Sequence, residues 1–259
     1  MDVLSQRQVW NPHVLQSGQW FSPLYEWDEA IQRLLDWPSY DWLNAEAVRL
    51  HVCNDQGMPL EFIQQDEPMK ALAYEKQIYE TGKVPTRLAN WHDFFNALCW
   101  FRFPNSKSIM NAMHAKSEDT ISARGKMRDA LTLFDECGIV IEVADDTWKT
   151  RLQSHDWKGV WWVDRQTSEA EVEYTLFGHS EFEKGMTPFR GWTAKALFLP
   201  RNPNISLDER VANVLASGAL MQPRELSPLP VLGVPTWHEG QDASYYDDTD
   251  YFRPARQRV

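Results

Sequence analysis

Cysteine is scarce in this chain, and its scarcity removes whole classes of protein. The 259 residues contain three, Cys53, Cys99 and Cys137. An odd number without C-x-x-C spacing argues against both a disulfide framework and a thiolate zinc site, and points to a reducing compartment. Long apolar runs are missing too. No stretch approaches the ~20 residues that span a bilayer, and no basic region followed by an apolar run opens the chain. A cytoplasmic protein with no membrane contact is the expectation. Blocks of lysine or arginine are absent as well. Twenty-six basic against 37 acidic residues leave a net charge of -11, a field that repels phosphate backbones and disfavours nucleic acid as a partner. Arg124, Lys126 and Arg128 form only a modest basic patch, of the kind that is usually a solvated face. No G-x-G-x-x-G or G-x-x-x-x-G-K-[ST] loop occurs, nor an H-E-x-x-H or G-x-S-x-G signature, so the familiar nucleotide, zinc-protease and serine-elbow patterns are all lacking.

Aromatics, by contrast, are plentiful. They make up 13% of the residues and include 13 Trp, wide rings that must be packed in a core or line a pocket. A chain of this length buries a sizeable core without staples. No internal repeat or low-complexity linker divides it, so a single domain is expected, with an N-terminal arm over 1–26, a core over 27–222 and a Pro- and aromatic-rich tail over 223–259.

The stretch Trp91 to His114 organises the rest. Pro104 disfavours helical geometry at Phe103, which predicts one helix ending near Arg102 and another starting at Asn105 or Ser106. On the first, Trp91, Phe94, Phe95 and Leu98 follow the i, i+3, i+4, i+7 rule of a buried stripe, leaving His92 and Asn96 one turn apart on another face. On the second, Lys107, Asn111 and His114 form a polar row opposite Ile109, Met110 and Met113.

Around this pair the chain reads as mixed structure. Helices are expected over Trp27–Trp37, Asp41–His51, Glu67–Tyr79, Asp146–Gln153, His179–Lys184 and Ser206–Leu220, the last opened by a Ser206–Glu209 capping box. Strands are expected at Leu60–Ile63, Val172–Phe177 and Ala194–Leu199. Asp135-Glu136-Cys137-Gly138 reads as a hairpin turn between Leu131–Phe134 and Ile139–Val143, with Gly138 at positive φ. The fold class is α+β: a helix-rich single domain with a small, mainly antiparallel sheet, and extended N- and C-terminal arms packed on the body.

Three histidines, His92, His114 and His179, with Asp93, Asp135, Glu136 and Glu181 near them in sequence, supply the ligand types of zinc, manganese or iron and the groups of acid–base chemistry. The candidate catalytic residues are His92, Asp93, His114 and Asp135. Asn96, Lys107, Asn111 and Arg128 are the candidate substrate-binding residues, and His92, His114 and His179 the candidate ligands of a divalent metal ion. Lys107, Arg124, Arg128 and Lys195 are candidates to clamp an anion, helped by amide donors at the helix start near Asn105. Cys99 shares one rigid helix with His92, almost two turns (~10 Å) away, a poor geometry for a Cys-His nucleophile.

Several motifs in order, Asn90-Trp-His-Asp-Phe-Phe-Asn-Ala-Leu98, Phe103-Pro104 with Lys107, Asn111 and His114, Arg128-Asp-Ala-Leu-Thr-Leu-Phe-Asp-Glu136, Phe177-Gly-His179, Thr193-Ala-Lys-Ala-Leu197 and Leu229-Pro-Val-Leu-Gly-Val-Pro-Thr-Trp237 through Phe252-Arg-Pro254, resemble the bacterial family called domain of unknown function 3025. The likeness runs from about Trp20 to Pro254 and implies no reaction, cofactor or catalytic residue. Two readings follow from the residues. The first is a hydrolase, metal-dependent in one version, acting on a small molecule or ester at a polar His/Asp pocket. The second is a non-catalytic binding or assembly protein in which the same residues form a structural hydrogen-bond network and the aromatic arms meet a protein partner.

Overall fold

The computed structural model describes residues 8–117 and 123–255; the side chains of Ala123 and Arg124 lie outside that description. The chain opens with 3-10 turns at Val14–Ser17 and Gln19–Trp27, which run into a short helix α1, Asp28–Gln32. Val14, Leu15, Trp20, Phe21, Leu24 and Trp27 are all buried, so this arm packs on the body through its aromatics. The helix expected over Trp27–Trp37 is curtailed: Leu35 is exposed, and the Leu34 carbonyl accepts from the Trp10 indole at 3.2 Å. Helix α2 (Tyr40–Arg49) is capped by Ser39. Strand β1 (Glu61–Gln64), helix α3 (Ala71–Thr81) and strand β2 (Lys83–Thr86) follow, with β1 and β2 paired in parallel.

Helix α4 (Trp91–Arg102) starts where the Asn90 side chain accepts from the Asp93 amide at 3.0 Å. Nine of its 12 residues are buried, which makes it a central helix and not an amphipathic surface one. Pro104 then occupies the first turn of α5 (Pro104–Ala115), where its missing N–H is harmless, and the corner expected at Phe103–Pro104 is present. Helix α5 packs between α3 and a late helix, so both of its faces are enclosed and Met110 is buried as well. The polar row Lys107, Asn111 and His114 is buried, whereas Ile109 and Met113 are only partly so.

The hairpin expected around Asp135 is a helix. Helix α6 runs from Ala123 through Cys137 and passes directly into strand β3, Gly138–Val143. Leu131 and Leu133 suggest alternation, but Met127, Ala130, Leu131 and Phe134 also satisfy i, i+3, i+4, i+7, and it is this helical face that meets the core. Gly138 is not at positive φ. It is glycine for a different reason: a Cβ there would stand 2.3 Å from the Phe134 carbonyl oxygen.

Helix α7 (Asp146–Gln153), a π-turn at Gly159–Val163, helix α8 (Arg165–Glu171), strand β4 (Val172–Leu176), helix α9 (His179–Gly185), strand β5 (Thr193–Pro200), helix α10 (Leu207–Ala216) and strand β6 (Ser227–Pro230) complete the order. The main sheet has the order β4-β3-β5-β6. Its outer pairings are antiparallel and the central β3–β5 pairing is parallel, the latter needing the long crossover through α7, α8, β4 and α9. All six residues of β3 are buried, even Glu142, which the half-enclosed Arg210 guanidinium neutralises. The architecture is α+β, with a mixed sheet.

The tail after β6 is packed on this frame. Tyr251 donates its hydroxyl to the Trp192 carbonyl at 2.7 Å and accepts from the Leu232 amide at 2.9 Å. Gln241 caps the Leu232 and Val234 carbonyls, and Val231, Leu232, Val234, Trp237, Tyr246, Tyr251 and Phe252 are buried.

Candidate metal centre and its cavity

Helices α3, α4, α5, α6 and α9 together line a cavity of about 800 Å³. His92, Asp93, Asn96, Lys107, Asn111, His114, Arg128, Asp135 and His179 all line it, so these nine candidate residues share one space. Lys195, in β5, does not line it, and the Arg124 side chain lies outside the described residues.

The α6–α9 junction is set by glycine. A Cβ on Gly178 would stand 2.4 Å from the Glu136 carbonyl oxygen and 2.5 Å from the Gly138 nitrogen, so only glycine lets the start of α9 press against the end of α6. That contact delivers His179 to Glu136. His179 Nε2 lies 3.5 Å from a Glu136 carboxylate oxygen and 3.2 Å from His92 Nε2. The two imidazoles meet at 76° with centroids 4.5 Å apart. One donor atom from each of the three residues falls within 4.8 Å of the others. His114, the third histidine expected as a ligand, is not part of this group; Glu136 takes its place.

Two Nε2 atoms facing each other at this distance need something between them, a shared proton or a cation. A tetrahedral ion with bonds of ~2.1 Å separates its ligands by roughly 3.4 Å, close to both measured edges. The Ser180 hydroxyl donates a short hydrogen bond to Glu136 and lies 3.3 Å from His92 Nδ1, which also faces Glu183 at 3.3 Å. His179 Nδ1 is buried with no hydrogen-bond partner, and Asp135 Oδ2 stands 3.8 Å away. Asp135 in turn accepts from Lys107 Nζ at 2.6 Å, and Lys107 also donates to Asn96 at 2.9 Å.

These contacts shift the ionisable groups apart. Burial pushes His179 down to about 4, so it is a neutral imidazole at pH 7. Burial also works against protonation of His92, but Glu183, Glu136 and Asp93 outweigh it and raise that pKa. Burial alone would raise Asp135; Lys107 and His179 nevertheless hold it below the ordinary carboxylate range. Lys107 answers in kind: burial opposes its charge, and Asp135 overrides the opposition and raises it. His114 is lowered, first by burial and then by Lys107 and Arg128.

Other residues singled out in the sequence have structural partners. Asp93 holds Arg87 in a bidentate pair at 2.7 and 3.0 Å and also accepts from its amide. The amide donors at the start of α5 are closed off, because Asp208 of α10 accepts from Asn105 N and Ser106 N, both at 2.8 Å. Cys99 is buried and its thiol is pushed up by burial, which removes it as a nucleophile. Sequence reasoning passed over Tyr74 and Glu75 on α3. The signal was present: Ala71, Tyr74, Glu75 and Ile78 occupy i, i+3, i+4, i+7, an acid on an apolar stripe, and Glu75 lines the cavity.

No helix among the described residues is long and apolar enough to cross a membrane. No curated protein and no solved structure matches the chain. One family model, described as Protein of unknown function (DUF3025), matches residues 60–256, from the start of β1 through the packed tail and across every helix that lines the cavity. The chain belongs to the DUF3025 family.

Proposed function

We propose that this protein is a metal-dependent hydrolase acting on a small molecule in the α3–α6 cavity. One observation carries the reading: His92, His179 and Glu136, from three separate helices, bring one donor atom each within 4.8 Å of the others, with the two edges at His179 Nε2 measuring 3.2 and 3.5 Å. Two imidazoles and a carboxylate suit zinc, manganese or iron and leave positions for water and substrate. A divalent ion held by these three residues would supply Lewis acidity and an activated water for hydrolysis. The chain supplies the rest. His179 is held neutral, as a ligand must be, and Asp135 Oδ2, 3.8 Å from its Nδ1, is the carboxylate nearest to hand for orienting a ligating histidine. Lys107 keeps Asp135 ionised, Ser180 orients Glu136, and His114, its pKa lowered by burial, lines the same cavity as an uncharged acid–base group.

Elemental analysis after reconstitution with zinc or manganese is expected to give about one ion per chain, and saturating ion should stabilise the fold by about 2.7 kcal/mol at a hundredfold excess over Kd. His179→Gln should abolish both effects. Substoichiometric metal with an unchanged melting temperature defeats the proposal.

A second reading has its own support. Lys107–Asp135, Arg87–Asp93, Asn111–Glu75 and Asn96–Tyr74 are internally paired, as a purely structural network in a binding or assembly protein requires. A protein that takes up no metal, yet loses stability when Lys107 or Asp135 is neutralised, fits that reading.

A further inference from the structure

The wall of the cavity formed by α3 and α5 carries more acceptor than donor capacity. Glu75 accepts from Asn111 Nδ2 at 2.7 Å, and the same nitrogen donates to the Glu75 carbonyl at 2.9 Å, so both amide protons of Asn111 are engaged. Asn111 is 2% exposed, and its Oδ1 is buried with no hydrogen-bond partner. A buried amide oxygen in this state costs free energy that a donor can recover. Glu75 is half-buried on the cavity wall, with no ion pair to a lysine or arginine among the described residues. Lys107 is committed to Asp135 and Asn96, and Arg87 to Asp93. The lining as a whole has five carboxylates, Glu75, Asp93, Asp129, Asp135 and Glu136, against Arg87, Lys107 and Arg128. Leu72, Ile78, Trp100 and Met110 complete the same cavity with apolar surface.

We propose that Glu75 and Asn111 form a recognition subsite for a planar, cationic N–H donor, an amidinium or guanidinium group on the molecule this protein acts on. Such a group presents two or more N–H bonds in one plane, which matches a carboxylate beside an amide oxygen. A phosphate or carboxylate would set acceptor against acceptor. Burial, aided by Asp135 and opposed by Asn111 and Lys107, pushes Glu75 up to about 7, the behaviour of a carboxylate that lacks a cation. The subsite belongs to the cavity of the proposed hydrolase but does not depend on its metal.

The test uses three isosteric probes, benzamidine, benzamide and benzoate, added to the full chain after chelation at pH 8, with binding read by calorimetry. Because the metal is removed, the outcome stands apart from the metal assay. Benzamidinium is expected to bind at least about tenfold more tightly than benzamide, with benzoate weaker than both. Glu75→Gln should cut benzamidinium binding by about tenfold and change benzamide binding by less than about threefold, at an unchanged fold by circular dichroism. Benzoate binding as tightly as benzamidinium, or a folded Glu75→Gln protein with undiminished benzamidinium affinity, overturns the proposal. If Glu75→Gln does not fold, the Asn111 side-chain amide resonance of the unaltered protein decides. A shift on adding benzamidinium supports the subsite, and none overturns it.

Discussion

Two cavities of nearly equal volume, about 800 and 790 Å³, lie in this molecule, and they are used differently. The first is walled by helices, and its polar groups pair side chain to side chain along that wall: His92 with His179, Lys107 with Asp135, Glu75 with Asn111. The second is a seam where the C-terminal tail closes on β5 and β6, lined by Trp157, Pro228, Pro230, Tyr251 and Pro254. Its polar groups act as fasteners, since His155 Nδ1 and Trp157 Nε1 both hold the Arg253 carbonyl, at 2.8 and 3.2 Å. Volume does not distinguish a cavity lined by mutually paired ionisable groups from a join in the fold. The difference lies in whether ionisable groups are shifted by one another or tied to backbone.

Perturbing each region sharpens that contrast. The largest effect is expected from a chain ending at Pro228, which loses the buried Val231, Leu232, Val234, Tyr246, Tyr251 and Phe252. Each large apolar side chain is worth several kcal/mol, so this protein should be insoluble or lack a cooperative thermal transition. A soluble chain with an unchanged melting temperature would show that the tail serves a partner. Trp157→Ala comes next. Trp157 is 4% exposed and stacks on Trp161 at 4.9 Å, so a loss of about 3–5 kcal/mol in denaturant melts is expected, with metal content unaltered. A change in metal content would break the separation of the two cavities.

Gly138→Val tests the α6–β3 junction that carries Glu136. Its side chain would collide with the Phe134 carbonyl and ring, at a cost of about 1–3 kcal/mol by urea unfolding, and no loss at all would contradict that packing. The smallest effect concerns Glu75, whose folded pKa, about 7, lies above its ordinary value of 4.5. Across that window the folded state binds more protons than the unfolded state. Stability from this group is therefore complete below pH 4.5 and declines as pH rises to 7. Glu75→Gln cannot ionise, so it should exceed the parent by on the order of 1 kcal/mol at pH 8 and match it near pH 4.5. Equal stability at both pH values would count against a half-buried Glu75 that lacks a cationic partner.

How much of this was legible in the sequence varies with the range of the interactions. Local rules worked for α4, α5 and α7, where caps, Pro104 and apolar spacing act within a few residues. They misled at Asp135, because Leu131–Phe134 satisfies both a period of 2 and part of a period of 3.6, and only contact with the core selects the helix. The polar rows of α4 and α5 were readable as separate from the apolar stripes, and the residues on them line one cavity. Their partners were not readable. Asp93 turns to Arg87, Asp208 closes the start of α5, and Glu136 displaces His114 from the donor group, each through a neighbour distant in sequence or on another element.

By itself the sequence determined the aromatic core, the acidic charge, the central helical corner and the set of residues able to do chemistry, because these follow from composition and from spacing along one helix. Only the tertiary structure decided which of those residues meet. The close approach of Gly178 to Glu136 brings His179, 87 residues away in sequence, to 3.2 Å from His92. No local periodicity encodes that distance. It is set by how two helices and a strand pack, with room for hydrogen where any other side chain would have forced them apart.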